Sequence, residues 1–306
     1  MSNIVETQKP VLTQTTMETS KPIRWDKWTN YAMRMLVVLI ALIFAYFPIV
    51  WIASAAMNPT GVLSTQKIIP NNPGFDNFET LLTSDISPFA TWMFNSVKVA
   101  AVTSILAVMI SALGAYAFSR FRFSGRRSLM LGIFLIQVFP NSLTIVATFL
   151  LIQEIGNYIP FLGLNAHGGL ILVYLGGALG INTWLMKGFF DSIPRELDES
   201  ARIDGASNWL IFWRIIFPLV RPVLAVVGIL SFIGTYGDVI ISLTLLSDRD
   251  VKTLAVGLRT FIAADYDQNW GVFAAGALLG AIPIVILILM FQRFLVGGLT
   301  EGAVKG

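Results

Sequence analysis

Six runs of apolar residues recur along this chain, each long enough to cross about 30 Å of hydrocarbon at about 1.5 Å of helix per residue. They lie near 32–56, 96–119, 128–153, 168–189, 219–246 and 270–295. Polar residues gather between them, so the pattern predicts an all-α membrane protein with six transmembrane helices. One polar stretch differs from a simple loop. Residues 194–220 read PRELDESARIDGASNWLIFWRIIFPLV, a helix-forming segment set between two spans. Pro194 suits a first helical position, Glu196, Asp198 and Glu199 favour the positive end of a helix dipole, and Asp198 is spaced to reach Arg202 at i,i+4. Gly205 is placed to close that helix in a left-handed conformation. A second amphipathic helix is expected to follow, with Trp209, Phe212, Trp213 and Ile216 on one face before Pro218.

Composition sharpens this picture. At 55% hydrophobic and 13% charged residues, the chain is too apolar for an ordinary soluble domain. The net charge of +3 gives no reason to invoke nucleic acid, because the basic residues mark one side of a membrane. Sixteen of the 21 Lys and Arg fall on one set of loops and span ends, leaving Lys67, Lys98, Arg249, Lys252 and Arg259 on the other. The positive-inside rule then places both termini, and the 190–218 loop, in the cytoplasm. Residues 1–30 form a polar N-terminal segment and 31–306 the six-helix domain. Ala53, Ser54 and Ala55 look superficially like a cleavage site, but the uncharged run from Met35 to Ala56 exceeds a signal-peptide core, so the first span is read as retained.

Candidate chemistry is sparse. There is no cysteine, which excludes disulfides and thiol nucleophiles. No GxxxxGK[ST] stretch occurs, so the chain lacks the phosphate cradle needed to hydrolyse ATP itself. A single histidine, His167, is read as a solvated side chain and can build neither a triad nor a multi-His metal site. Within the spans, Asp238 shares a helical stripe with Ser231, Thr235 and Ser242. A second stripe carries Gln137, Asn141, Thr144 and Thr148, with Pro140 able to kink the helix. These two stripes either line a path for a polyhydroxylated solute or hydrogen-bond across helix contacts. Small residues at four-residue spacing, Gly176 with Gly180, Gly276 with Gly280, and Ala107, Ser111 and Ala115, read as packing positions. The first loop, 57–95, carries Pro59, Pro70, Pro73 and Pro88 and reads as a lid of turns. The 247–269 loop is too long for a simple connection.

The spacing Glu199, Ala201, Gly205, Ile215, Pro218 resembles the cytoplasmic signature loop of permease subunits of ATP-binding-cassette importers, with Ser200 and Phe217 departing from its usual Ala and Leu. PGFDNF at 73–78, Asn95-Ser96, the AYAFSRFRFSGRR turn at 115–127 and the tail GLTEGAVKG at 298–306 are similar to the maltose-type members, Glu301 departing in the tail. The turn itself reads as basic and suited to lipid phosphates. The resemblance implies a type I importer permease fold that binds no cofactor, with ATP hydrolysed by partner subunits. It implies a second homologous permease, two cytoplasmic ATPases docking through Glu199, Ser200, Ala201, Asp204, Gly205, Ile215 and Pro218, an extracytoplasmic solute-binding protein, and a sugar. A permease for another sugar or a glycerol-phosphate-type solute is the nearest alternative. An ion-coupled carrier would need an intramembrane relay that one Asp does not supply, and a mere membrane anchor would not need polar stripes.

Topology is directly testable in a chain without cysteine. Ser124→Cys and Ser207→Cys should resist an impermeant thiol reagent in intact cells and react after permeabilisation; labelling of either in intact cells would reverse the orientation.

Overall fold

A computed structural model describes residues 25–62, 66–84, 87–138, 140–263 and 268–303. Every regular element among the described residues is helical. The chain divides into two units, residues 1–49 and 50–306. Helix α1, Trp25–Ala56, carries Pro48 inside a long apolar run. In the second unit follow α2 (Asp76–Thr83), α3 (Phe89–Arg120), α4 (Arg126–Val138), α5 (Asn141–Tyr158), α6 (His167–Ser192), α7 (Glu196–Ile203) and α8 (Asn208–Ile211). A π-helical turn at Phe212–Ile216 leads into α9 (Phe217–Leu219), and then come α10 (Arg221–Tyr236), α11 (Ile240–Leu245), α12 (Leu254–Arg259) and α13 (Trp270–Ala303).

Among the described residues four helices are long and apolar enough to cross a membrane: Asn30–Ala56, Phe89–Arg120, His167–Ser192 and Trp270–Phe294. Two bent pairs bring the number to six if each is one span, Arg126–Val138 with Leu143–Tyr158 at 106° and Asn208–Leu219 with Arg221–Tyr236 at 79°. Two predicted spans are therefore not the continuous helices expected. The third is split into α4 and α5, and Pro140 stands at the head of α5 with an extended ψ of 118°, because its ring cannot extend a preceding helix. In the fifth, α10 stops at Tyr236 and α11 starts at Ile240. Between them Asp238 Oδ1 accepts the backbone N–H groups of Ile241 and Ser242 at 3.0 and 3.1 Å, a local bond that opens a new helix rather than prolonging the old one.

Helix α3 runs through the middle of the second unit and packs chiefly on α6 and α10. Its small residues Ala107, Ser111 and Ala115 are fully buried, which lets neighbouring backbones approach. Gly276 and Gly280 act differently from the predicted ladder, receiving the side chains of Leu258 and Leu254 from α12. Around the amino-terminal half of α3, Trp92, Phe232, Tyr236, Leu254 and Leu258 form one core; around its carboxy-terminal half, Tyr116, Met186, Phe190, Phe212 and Ile216 form another.

Both long loops are tied down. The first contains α2, which the turn-rich sequence concealed, and Asn77 donates from its buried amide to Ala56 O and Asn58 O at 3.0 and 2.9 Å. The second, beyond Leu246, is strapped to the start of α3. Trp92 Nε1 donates to Arg249 O at 2.8 Å, Asn95 Nδ2 to Asp250 O at 2.8 Å and Lys252 O at 3.1 Å, and Leu254 N–H to Ser96 Oγ at 2.7 Å. His167 is not the solvated side chain expected, since its Nε2 lies 2.9 Å from Val251 O.

Gly257 makes this strapping possible: a Cβ there would lie 2.2 Å from Cε3 of the buried Trp92 ring. Gly257→Ala should push the indole off Arg249 O and cost about 1–3 kcal/mol. Thermal unfolding of the purified protein should show the loss, and an unchanged midpoint would mean the loop is held elsewhere.

Candidate functional site

The charged 194–220 segment folds as two short helices whose positions follow from their sequences. Helix α7 begins at Glu196, two residues later than Pro194 suggested, with Arg195 as its N-cap residue. Its close is as expected: Gly205 takes φ +82°, Gly205 N–H donates to Arg202 O at 3.0 Å and Ala206 N–H to Ala201 O at 2.9 Å, the paired bonds of a Schellman motif. Ser207 Oγ then accepts Leu210 N–H at 3.3 Å and caps α8.

The side chains facing inward hold this segment to the end of α3. Asp198 does not reach Arg202; its Oδ2 lies 2.5 Å from Arg120 Nε, with both side chains almost fully buried. Arg202 instead donates to Asn208 Oδ1 at 3.2 Å, joining α7 to α8. Helix i,i+4 pairing loses here because a buried guanidinium must be compensated, whereas a surface pair contributes little. The ion pair sits in a small network. Arg120 donates to Ile193 O at 3.0 Å, Arg195 to Ser119 O at 3.1 Å, and Ser119 Oγ to Asp191 Oδ1 at 2.7 Å. Arg120 is thus a buried anchor rather than one of the lipid-facing cations of the 115–127 turn.

Below it, Tyr116 of α3 packs on Phe212 with ring centroids 5.2 Å apart and on Phe121 at 5.7 Å. The predicted aromatic face is shifted. Phe212 and Ile216 are buried, together with Ile211, but Trp209 is exposed. The cause is the π turn, closed by Phe217 N–H on Phe212 O, which widens the helix just before Pro218, where the missing N–H and the proline ring oppose regular α-helix. Ile215 and Pro218 are half-buried in this turn.

The outward side of α7 is a continuous exposed surface. Glu199, Ser200, Asp204 and Gly205 are exposed, Ala201 is buried against the core, and Ile203 is 87% exposed. Sequence reasoning missed Ile203 and Arg120. An isoleucine inside a charged helix and a cation in the last turn of an apolar span were the signals.

The two intramembrane stripes separate in the structure. Because the helix breaks at Gly237–Val239, Ser231, Thr235, Asp238 and Ser242 do not form one α-helical face. Tyr174 of α6 donates to Asp238 Oδ1 at 2.8 Å and lies 2.7 Å from Ser242 Oγ, while Asn182 Nδ2 donates to Ser231 Oγ at 3.1 Å. These groups join α6 to α10 and α11. Tyr174 was missed, although a tyrosine deep in a span needs a partner for its hydroxyl. Gln137 lies against Gly180 of α6, the side chain of Asn141 is outside the described residues, and Thr144, Thr148 and Thr235 are half-buried.

Four to six apolar membrane-spanning segments among the described residues, with a charged helix pair anchored by a buried ion pair, define a multi-pass membrane protein. Residues 107–299 match the family described as binding-protein-dependent transport system inner membrane component, and the chain belongs to that family. It is 42% identical over 303 residues, 95% of this chain and 99% of the relative, to the maltose/maltodextrin transport system permease protein MalG of Vibrio vulnificus (strain YJ016). Among solved structures it is similar to a chain of a bacterial ABC transporter involved in the import of the acidic polysaccharide alginate, with TM-score 0.70 and 25% identity, covering 90% of this chain and 99% of that one. A chain of a bacterial alginate ABC transporter in complex with an alginate pentasaccharide-bound periplasmic protein shares the fold, with TM-score 0.63 and 19% identity over 88% of this chain and 94% of that one.

Removing one partner of the buried pair should be costly, about 3–5 kcal/mol. Asp198→Ala or Arg120→Ala should expose the 190–218 loop to trypsin at Arg195 and Arg202, and the double variant Arg120→Met/Asp198→Leu should restore much of the protection. Equal cleavage of wild type and both single variants would show that the ion pair does not hold the loop.

Proposed function

We propose that this chain is the permease subunit of an ATP-driven importer of a sugar, a maltodextrin-like oligosaccharide in the first instance, with residues 31–306 forming half of the translocation path. The observation that carries the reading is the two-sided build of α7. One side is bolted to α3 through Asp198 and Arg120, and the other offers Glu199, Ser200, Asp204, Gly205 and the bare Ile203. A solvated charged helix does not need a buried ion pair beneath it or an exposed aliphatic knob on it. A docking surface that must transmit displacement needs both.

In this reading two cytoplasmic ATPase subunits dock on the signature loops of this chain and of a second, homologous permease, and both termini lie in the cytoplasm. ATP is bound and hydrolysed by the ATPases, and this chain holds no cofactor. Displacement of α7 passes through Arg120 to α3 and through the π turn and Pro218 to α10, so the spans rock between inward and outward openings. An extracytoplasmic binding protein delivers the sugar to the side bearing the 247–269 loop. Of the intramembrane polar groups, Gln137, Asn141, Thr144, Thr148 and Thr235 are the candidates for touching it. Ser231, Asp238 and Ser242 hold helices together, and Tyr174 with Asp238 fixes the joint between α10 and α11. The long similarity to a maltodextrin permease supports the substrate class.

The test is the assembled transporter in vesicles: maltodextrin with the binding protein should stimulate ATP hydrolysis and be taken up, whereas this chain alone should hydrolyse nothing. Failure of every sugar to stimulate would overturn the substrate class. In the same assay Gly205→Val, which strains a left-handed residue by about 1–2 kcal/mol, should reduce uptake strongly. Gly205→Asn, which tolerates that conformation, should retain most of it. Wild-type uptake by the valine variant would remove Gly205 from the coupling surface.

A further inference from the structure

A cleft of about 900 Å³ opens between the end of α3, the start of α4 and α6, on a face the coupling function does not use. Arg126, Arg127 and Lys187 line its rim, and Phe123, Phe134 and Trp184 are among the apolar residues of its wall. Phe134 and Trp184 lie with ring centroids 6.1 Å apart. Among the described residues no carboxylate lines the cleft. Lys187 is paired with Asp191, and Arg126 leans back on Phe121 O at 3.4 Å, but Arg127 is exposed on the turn where α4 begins. The positive end of the α4 dipole adds to the same sign.

Polar cations at the mouth of an apolar, aromatic-walled cleft, placed where a span meets the membrane surface, fit one chemistry. We propose that this cleft binds the headgroup of an anionic phospholipid, with the phosphate held between Arg126 and Arg127 and the upper acyl chain laid against Phe134 and Trp184. The volume suits a headgroup and the first part of its chains, being within the roughly 300–1,000 Å³ of small-ligand pockets. A free phosphate would use the rim and leave the apolar wall wet. A covering protein segment would have to bring its own carboxylates to Arg126 and Arg127, whereas a leaflet of anionic lipid supplies the charge at no cost in sequence. The consequence is that α4, the first half of a broken span, is tied at its starting turn to the membrane surface, independently of which solute is carried.

The experiment uses the complete transporter in nanodiscs of phosphatidylcholine with a minority of phosphatidylglycerol, extracted gently and examined by native mass spectrometry. Wild type should retain phosphatidylglycerol. Each removed charge should lower retention about fivefold, so Arg126→Gln/Arg127→Gln should lose it by more than tenfold, and Arg126→Lys/Arg127→Lys should keep most of it. Millimolar inorganic phosphate should not displace the lipid; displacement would assign the rim to a free anion and overturn the proposal. Equal lipid retention by wild type and the double glutamine variant would also overturn it. So would loss of the second permease from the double glutamine variant with lipid retention unchanged, which would assign the cleft to a subunit interface.

Discussion

A guanidinium and a carboxylate removed from water together impose the strongest constraint on this structure. Arg120 is the last residue of a 32-residue, predominantly apolar helix and is buried there, so it must find an anion or drag water into the core. Asp198 supplies the anion from a helix more than seventy residues later in the chain. Because a buried pair is worth little when intact and much when broken, its effect is on geometry rather than on total stability: any other seating of α7 leaves a bare charge. The Schellman close at Gly205, the cap at Ser207 and the tilted packing of Tyr116 against Phe212 are all arranged around that fixed point.

The architecture was legible because the bilayer leaves a long helix few alternatives. Six apolar runs with a single charge bias and one glycine-closed polar helix are signals that hydropathy and backbone sterics alone can produce. What stayed hidden depends on partners distant in sequence. Asp198 had a plausible local mate in Arg202, and only burial decides against it. Asp238 looked like one member of a helical stripe, but its carboxylate competes for backbone N–H groups and breaks the helix that the stripe assumed. The π turn ahead of Pro218 was equally concealed, since a widened turn leaves no compositional mark, and it moves Trp209 from the buried face to the surface.

The loops teach a related lesson. Their proline, glycine and asparagine content reads as irregular chain, and much of it is. Yet Asn77, Asn95 and Asn165 act as staples, each satisfying backbone groups that a membrane-edge loop would otherwise leave unpaired. Asn165 even adopts φ 56° while its side chain accepts the N–H groups of Ser247 and Asp248. Asn77 stands in the first turn of α2 and Asn95 near the start of α3. Both fall within motifs quoted from the sequence, but an amide side chain does not by itself announce which distant backbone groups it will satisfy.

Helix α3 is therefore clamped at both ends, to the loop after Leu246 through Trp92, Asn95 and Ser96, and to α7 through Arg120. Those clamps are set about 24 residues apart along one rigid rod, roughly 36 Å at 1.5 Å per residue. Each residue added or removed between them would rotate one clamp by about 100° relative to the other. The rod consequently has a fixed phase as well as a fixed length. Its residue count is constrained as tightly as the identity of its clamping residues, and a single-residue insertion in its middle would turn the two clamps out of register more completely than most substitutions at either end.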